Sequence, residues 1–180
     1  MALDAGAIQR FVASGFHAID AGQMSSVGPD FHRDIADSTE RALAAGRKLG
    51  ANTSLQQLPQ LRTLLADGAV CGALASLFGE GWRLYQHTAV HDGGRGQGKD
   101  AQVLHKDGPV CGQARFHRPR WGMLLYYPQA VRADMGPTAI IPSSQYLFQR
   151  LGNPHPNAGL PETKLLTVEA GERFHTHPSL

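Results

Sequence analysis

The sequence predicts an α+β domain, mainly helical over residues 1 to 80 and mainly strands over residues 81 to 171. Three observations carry this. Apolar residues recur at helical spacing in three segments before Gly79 and Gly81, and the spacing changes to period two from Trp82 onward. The 180 residues, 42% of them hydrophobic, are enough for one core and too few for two ordinary ones. No repeat, low-complexity tract or linker divides the chain, so residues 1 to 180 read as a single domain.

From Asp4 to Phe16, the residues Ile8, Phe11, Val12 and Phe16 fall on one helical face, with Gly15 placed to close the helix. A second amphipathic helix is expected from Phe31 to Gly50, where Phe31, Ile35, Ala42 and Leu49 stand among charged residues. A third follows Pro59, using Leu61, Leu64, Leu65 and Ala69, and continues through Cys71 to Phe78.

Beyond Gly81, alternation of Trp82, Leu84 and Gln86 with Arg83, Tyr85 and His87 suits a strand. Residues His91 to Asp100 include four glycines and read as a loop, and Gln102 to Asp107 is a short strand. Gly122 to Tyr127 is apolar enough for a central strand. Gly136 and Pro137 make a turn, Ala139 to Ile141 is a short strand, Gly152 to Pro161 is a loop, and Leu165 to Val168 is expected to be the last strand.

Charge excludes some partners. With 17 Lys plus Arg against 15 Asp plus Glu, a net charge of +2 and no long run of one sign, the sequence carries no footprint for nucleic acid or anionic lipid. Cys71 and Cys111 make neither a disulfide framework nor a metal-type pair, and read as reduced thiols. The opening residues lack a basic segment and no apolar run approaches a membrane span, so a soluble cytoplasmic protein is expected.

Among nine histidines, His105 stands two residues before Asp107 on a predicted strand, which sends both side chains to one face. An imidazole and a carboxylate so placed can hold a divalent metal, and a His from another strand would complete a two-His, one-carboxylate set. The same triplet also occurs on ordinary surface loops, where it holds nothing.

The surrounding residues add context. His105-Lys106-Asp107-Gly108, Phe116-His117-Arg118-Pro119-Arg120-Trp121, Leu125-Tyr126-Tyr127-Pro128 and the run from Met135-Gly136-Pro137-Thr138 through Ile141-Pro142-Ser143-Ser144-Gln145 occur in that order. Together they resemble the phytanoyl-CoA dioxygenase family of Fe(II) and 2-oxoglutarate dependent oxygenases. The resemblance extends to Phe11 through Phe16, similar to the family's opening helix, and to Leu84 through His91. It implies a double-stranded β-helix, a jelly roll of cupin type, with helices packed outside residues 81 to 171. By position, it makes His105 and Asp107 the first two Fe(II) ligands. Tyr126 and Thr138 are implied in binding the co-substrate, with either Tyr126 or Tyr127 facing the oxoacid or substrate and a core aromatic with a satisfied hydroxyl as the alternative. Ser143 stands where relatives usually carry Gly.

The same resemblance implies a third ligand, a His, and a following Arg for the far carboxylate of 2-oxoglutarate. His175 and His177 are the residues available for the ligand, arriving sooner after Gly171 than in the family, and no Arg follows Arg173. The expectation is a jelly roll lacking its last strands, with an unpaired edge that invites self-association and with little 2-oxoglutarate turnover. Three functions follow: hydroxylation of a small-molecule or lipid-type substrate; a non-catalytic jelly roll acting through binding; and a cupin-type metal enzyme using no oxoacid.

Overall fold

The computed structural model describes residues 2–47, 49–50, 53–85, 121–146 and 163–168, and the backbone of residues 173–176. Helix α1, Ala5–Ser14, starts where the Asp4 carboxylate accepts a 2.6 Å hydrogen bond from the Ala7 amide. It stops because Gly15 turns left-handed, φ +84°, and donates its amide to the Phe11 carbonyl. The helix closes at Gly15 as expected, and Phe16, which continues the helical spacing of apolar residues, opens strand β1, Phe16–Ile19.

Helix α2, Pro29–Ala44, begins with a proline that has no amide to leave unpaired, and buries His32, Ile35 and Ala42. It ends well short of the expected Gly50. Gly46 takes φ +68° and donates to the Leu43 carbonyl, while the Arg47 amide reaches back to Ala42. This paired closure satisfies the carbonyls that a longer helix would otherwise use. Leu49 turns back instead to form a small core with Ala42 and Leu58.

The continuous helix expected from Pro59 to Phe78 is two helices, preceded by an unforeseen short one, α3, Ser54–Gln57. Helix α4 covers Leu61–Ala66 and α5 covers Gly68–Phe78, with Asp67 extended between them at ψ 139°. Asp67 is buried, and its two oxygens accept 2.8 Å hydrogen bonds from the amides of Ala69 and Ser26. One carboxylate thus starts α5 and pins the loop ahead of α2. That double use accounts for the break.

Strand β2, Met123–Tyr126, forms within the apolar run at residues 122 to 127, but among the described residues it stands at the end of the strand order rather than at the centre, its apolar character reflecting packing on both faces. Strand β3 is Ala139–Ile140, β4 is Lys164–Leu165, and β5 is Arg173–Thr176. Strand β5 lies between β1 and β2 and pairs antiparallel with both, giving a three-stranded sheet in the order β1-β5-β2. Strands β3 and β4 form a second antiparallel pair, lengthened by the Leu166 amide bonding the Thr138 carbonyl and by a bridge from Val168 to Val131.

Period-two geometry assigns β2 to two layers at once. Leu124 and Tyr126 pack on the helix-side core of Ile19, Met24, Val27, Leu64, Val70 and Ala73. Leu125, Tyr127 and Phe16 pack on Ile140, Leu166 and Val168. Helices, the three-stranded sheet and the two-stranded sheet therefore stack in that order. The fold is a mixed α+β one, and no jelly roll is seen among the described residues.

Residues 82 to 85 are irregular, where a strand was expected. Alternation alone does not make a strand without a ladder partner, and here Tyr85 lies exposed with its ring edge on Trp121, 5.3 Å between centroids. The expected strand at 102 to 107 and the loops at 91 to 100 and 152 to 161 lie outside the described residues. The strand expected at Leu165 to Val168 begins one residue earlier and is not the last, since β5 follows it. Among the described residues no helix is long and apolar enough to cross a membrane.

Candidate functional site

The residues implied by the sequence run fall into three groups. His105, Asp107 and His177 lie outside the described residues. His175 lies in β5, at a register position opposite His17 on one side and Leu124 on the other. Tyr126 and Thr138 are described, and they do not meet.

Tyr126 projects toward the helices, where its hydroxyl forms a 2.9 Å hydrogen bond with His32 Nδ1. His32 is buried on α2, its ring edge-on to Phe31. Tyr127 projects the other way. Its hydroxyl donates to Thr138 Oγ1 at 3.2 Å, spanning the gap between the two sheets. Burial pushes the Tyr127 phenol above its ordinary value, only partly offset by the bond to Thr138, so the hydroxyl keeps its proton.

Thr138 is set by the turn before it. Gly136 adopts φ +69°, a left-handed conformation that suits glycine, and Pro137 fixes the next φ. Thr138 and Ile140, two residues apart, share the side of their strand that faces β2, as do Lys164 and Leu166 on the neighbouring strand. Leu166 is fully buried there. Lys164 reaches over the Phe16 ring, its ammonium 4.9 Å from the centroid. An apolar layer thus carries two hydroxyls and one cation at its rim.

The far end of the sequence run has a structural role. Ser143 takes φ +66°, and among the described residues it is the only non-glycine with positive φ. That conformation explains why glycine suits the position. The serine is held by its amide to the Ser14 carbonyl and its hydroxyl to the Ala13 carbonyl, each 2.9 Å. Gln145 and Tyr146 donate to the Val12 carbonyl. Together these groups satisfy the carbonyls at the end of α1, which have no partner inside the helix.

On the register opposite His175, His17 is held below its ordinary value, chiefly by burial and then by the Arg10 charge, against the pull of Asp20 and Asp4. Among the described residues no group of three His, Cys, Asp or Glu side chains is placed to hold a metal. The sequence reading missed His32, Lys164 and the pairing of Tyr127 with Thr138. A signal was present for Lys164 alone, since it stands two residues before the buried Leu166 and so shares its strand face.

Comparison of the chain with protein-family models, with curated proteins and with solved structures finds no match.

Proposed function

We propose that this chain is a phytanoyl-CoA dioxygenase-type domain on a jelly-roll plan, hydroxylating a small-molecule or lipid-type substrate with Fe(II) and 2-oxoglutarate. The observation that carries the reading is the ordered run from His105 to Gln145. The layering of helices, main sheet and second sheet supports it, because two parts of that run, Tyr127 and Thr138, meet across the space between the sheets. An imidazole and a carboxylate two residues apart suit Fe(II) as donors, and His105 and Asp107 would hold it, with His177 as the third ligand, since the register sets His175 opposite Leu124 on the helix-side face of the sheet. When bound, the iron supplies oxidation of the substrate carbon with oxygen and the oxoacid. The chain's own contribution is to hold the metal, keep water from the apolar layer of Leu125, Ile140 and Leu166, and offer hydroxyl donors at its rim.

Anaerobic Fe(II) titration of the wild type and of His105→Ala and Asp107→Ala tests this. Each variant is expected to bind iron at least tenfold more weakly, and unchanged affinity in both removes the reading. Succinate release after addition of oxygen and 2-oxoglutarate, abolished by Asp107→Ala, identifies an oxygenase. Iron binding without succinate identifies a non-catalytic binding domain.

A further inference from the structure

Two histidines meet in register across the seam that closes the main sheet. His17 in β1 and His175 in β5 are direct antiparallel partners, flanked by the pairs Phe16 with Thr176 and Ala18 with Phe174. Both positions lie on the helix-side face, since Ile19, two residues after His17, and Leu124, the partner of His175 on β2, belong to the core beneath the helices. Directly opposed residues carry their Cβ atoms roughly 4.5 to 5.5 Å apart, a span over which two imidazoles can each bring one nitrogen to a single ion. His17 is half-buried, which leaves it within reach of solvent. The charges acting on it are those of Arg10, Asp20 and Asp4, and Arg173 holds the next position of β5 on that face. Two carboxylates thus offset two guanidinium groups, and the imidazoles themselves decide what binds.

We infer that His17 and His175 form a two-histidine clip for a borderline divalent ion, zinc above all, that fastens β1 to β5. Imidazole nitrogen is a preferred donor for such ions. Two of them from facing strands leave the other coordination positions to water, which makes an exchangeable site rather than a closed one. Its place in the fold gives it leverage. Strands β1 and β5 are far apart in sequence, and an ion bridging them closes a loop of most of the chain, the case in which a cross-link removes most freedom from the unfolded state. Each strand contributes one histidine to the pair, so the donors come together only when the ladder forms, and ion binding therefore adds to folding stability. The clip does not rest on the proposed iron site, whose donors are His105, Asp107 and His177.

Zinc alone, titrated calorimetrically into the full chain carrying His105→Ala and Asp107→Ala, reads the clip without the iron donors. One equivalent is expected to bind and to raise the unfolding midpoint by a few degrees. Adding His17→Gln or His175→Gln, each a neutral side chain of similar size, is expected to weaken zinc at least tenfold and to abolish the shift. Circular dichroism confirms that each variant is folded. Hydrogen exchange on the wild type needs no substitution: zinc is expected to slow the amides of residues 16–19 and 173–176 more than those of α2. Absence of zinc binding, equal affinity with and without His17→Gln, or exchange that is unchanged or slowed uniformly along the chain overturns the clip. The proposed function falls separately, on iron affinity unaffected by His105→Ala and Asp107→Ala.

Discussion

His32 Nδ1 lies 2.9 Å from Tyr126 Oη, joining α2 to β2 across 94 positions of sequence. The bond fixes which way β2 faces, because a strand that turns Tyr126 toward the helices must turn Tyr127 toward the second sheet. The rim described above depends on that choice.

Replacing Tyr126 by Phe keeps the ring and removes its bond to the imidazole. Stability is expected to fall by about 1 kcal/mol, the net worth of one such hydrogen bond. Urea unfolding checks this, and a loss below measurement error would show that the pair contributes nothing net.

Asp67 gives a pH-dependent prediction. Burial alone would raise its carboxyl, but hydrogen bonds from the Ser26, Ala69 and Ser25 amides and the Ser26 hydroxyl outweigh it and hold the group below its ordinary value. A depressed carboxyl stabilises the fold fully above the unfolded value of about 3.9, and that share is lost as pH falls through the folded value. Asp67→Ala is expected to cost about 2 to 3 kcal/mol at neutral pH, from a lost cap and two amides left without their acceptor. The same variant should show a flatter decline in unfolding midpoint below about pH 4 than wild type. Parallel acid-side slopes would refute the assignment.

At Ser143 two effects oppose. Glycine would relieve a left-handed backbone but lose the hydroxyl bond to Ala13, each worth about 1 kcal/mol, so Ser143→Gly is expected to be near neutral. Ser143→Val loses the bond and adds a β-branched side chain to the same conformation, for an expected loss of about 2 kcal/mol or more. Thermal unfolding of the two variants should therefore separate them clearly, and equal midpoints would show that the φ of +66° imposes no strain.

Gly122 touches a ring. A Cβ there would stand 2.2 Å from Phe78 Cζ, so Gly122→Ala must displace an aromatic that packs edge-on against Phe11. The expected cost is about 1 to 3 kcal/mol, as for other overpacked positions. Combining it with Phe78→Leu should recover part of the loss; a double variant no better than the sum of the singles would exclude this contact as the cause.

The helices were legible where local chemistry decides them. Gly15 marked the end of α1, and of the expected apolar faces Phe11, Ile35, Ala42 and Leu64 are buried, whereas Val12 is exposed. Their interruptions were not, since Asp67 breaks a helix to meet Ser26, a partner 41 positions away that no local pattern announces. Strand β2 declared itself through an apolar run, whereas β1 and β5, of the same length, contain polar residues, and they exist because they pair with each other. Of the candidate site, the sequence pointed to Tyr126 and Thr138. It could not divide the adjacent tyrosines between faces, because an unbroken apolar run carries no alternation to read.

Strand β5 has a consequence for the order in which the chain is made. Residues 16 to 19 leave the ribosome early and β2 much later, yet neither strand meets its partner until residues 173 to 176 have emerged. The three-stranded sheet is thus closed by very distant contacts, a topology associated with slow folding. During synthesis the helices can collapse on Ile19 and Val70 while both future neighbours of β5 stand with open ladders, a nascent form that cellular holdases would be expected to bind.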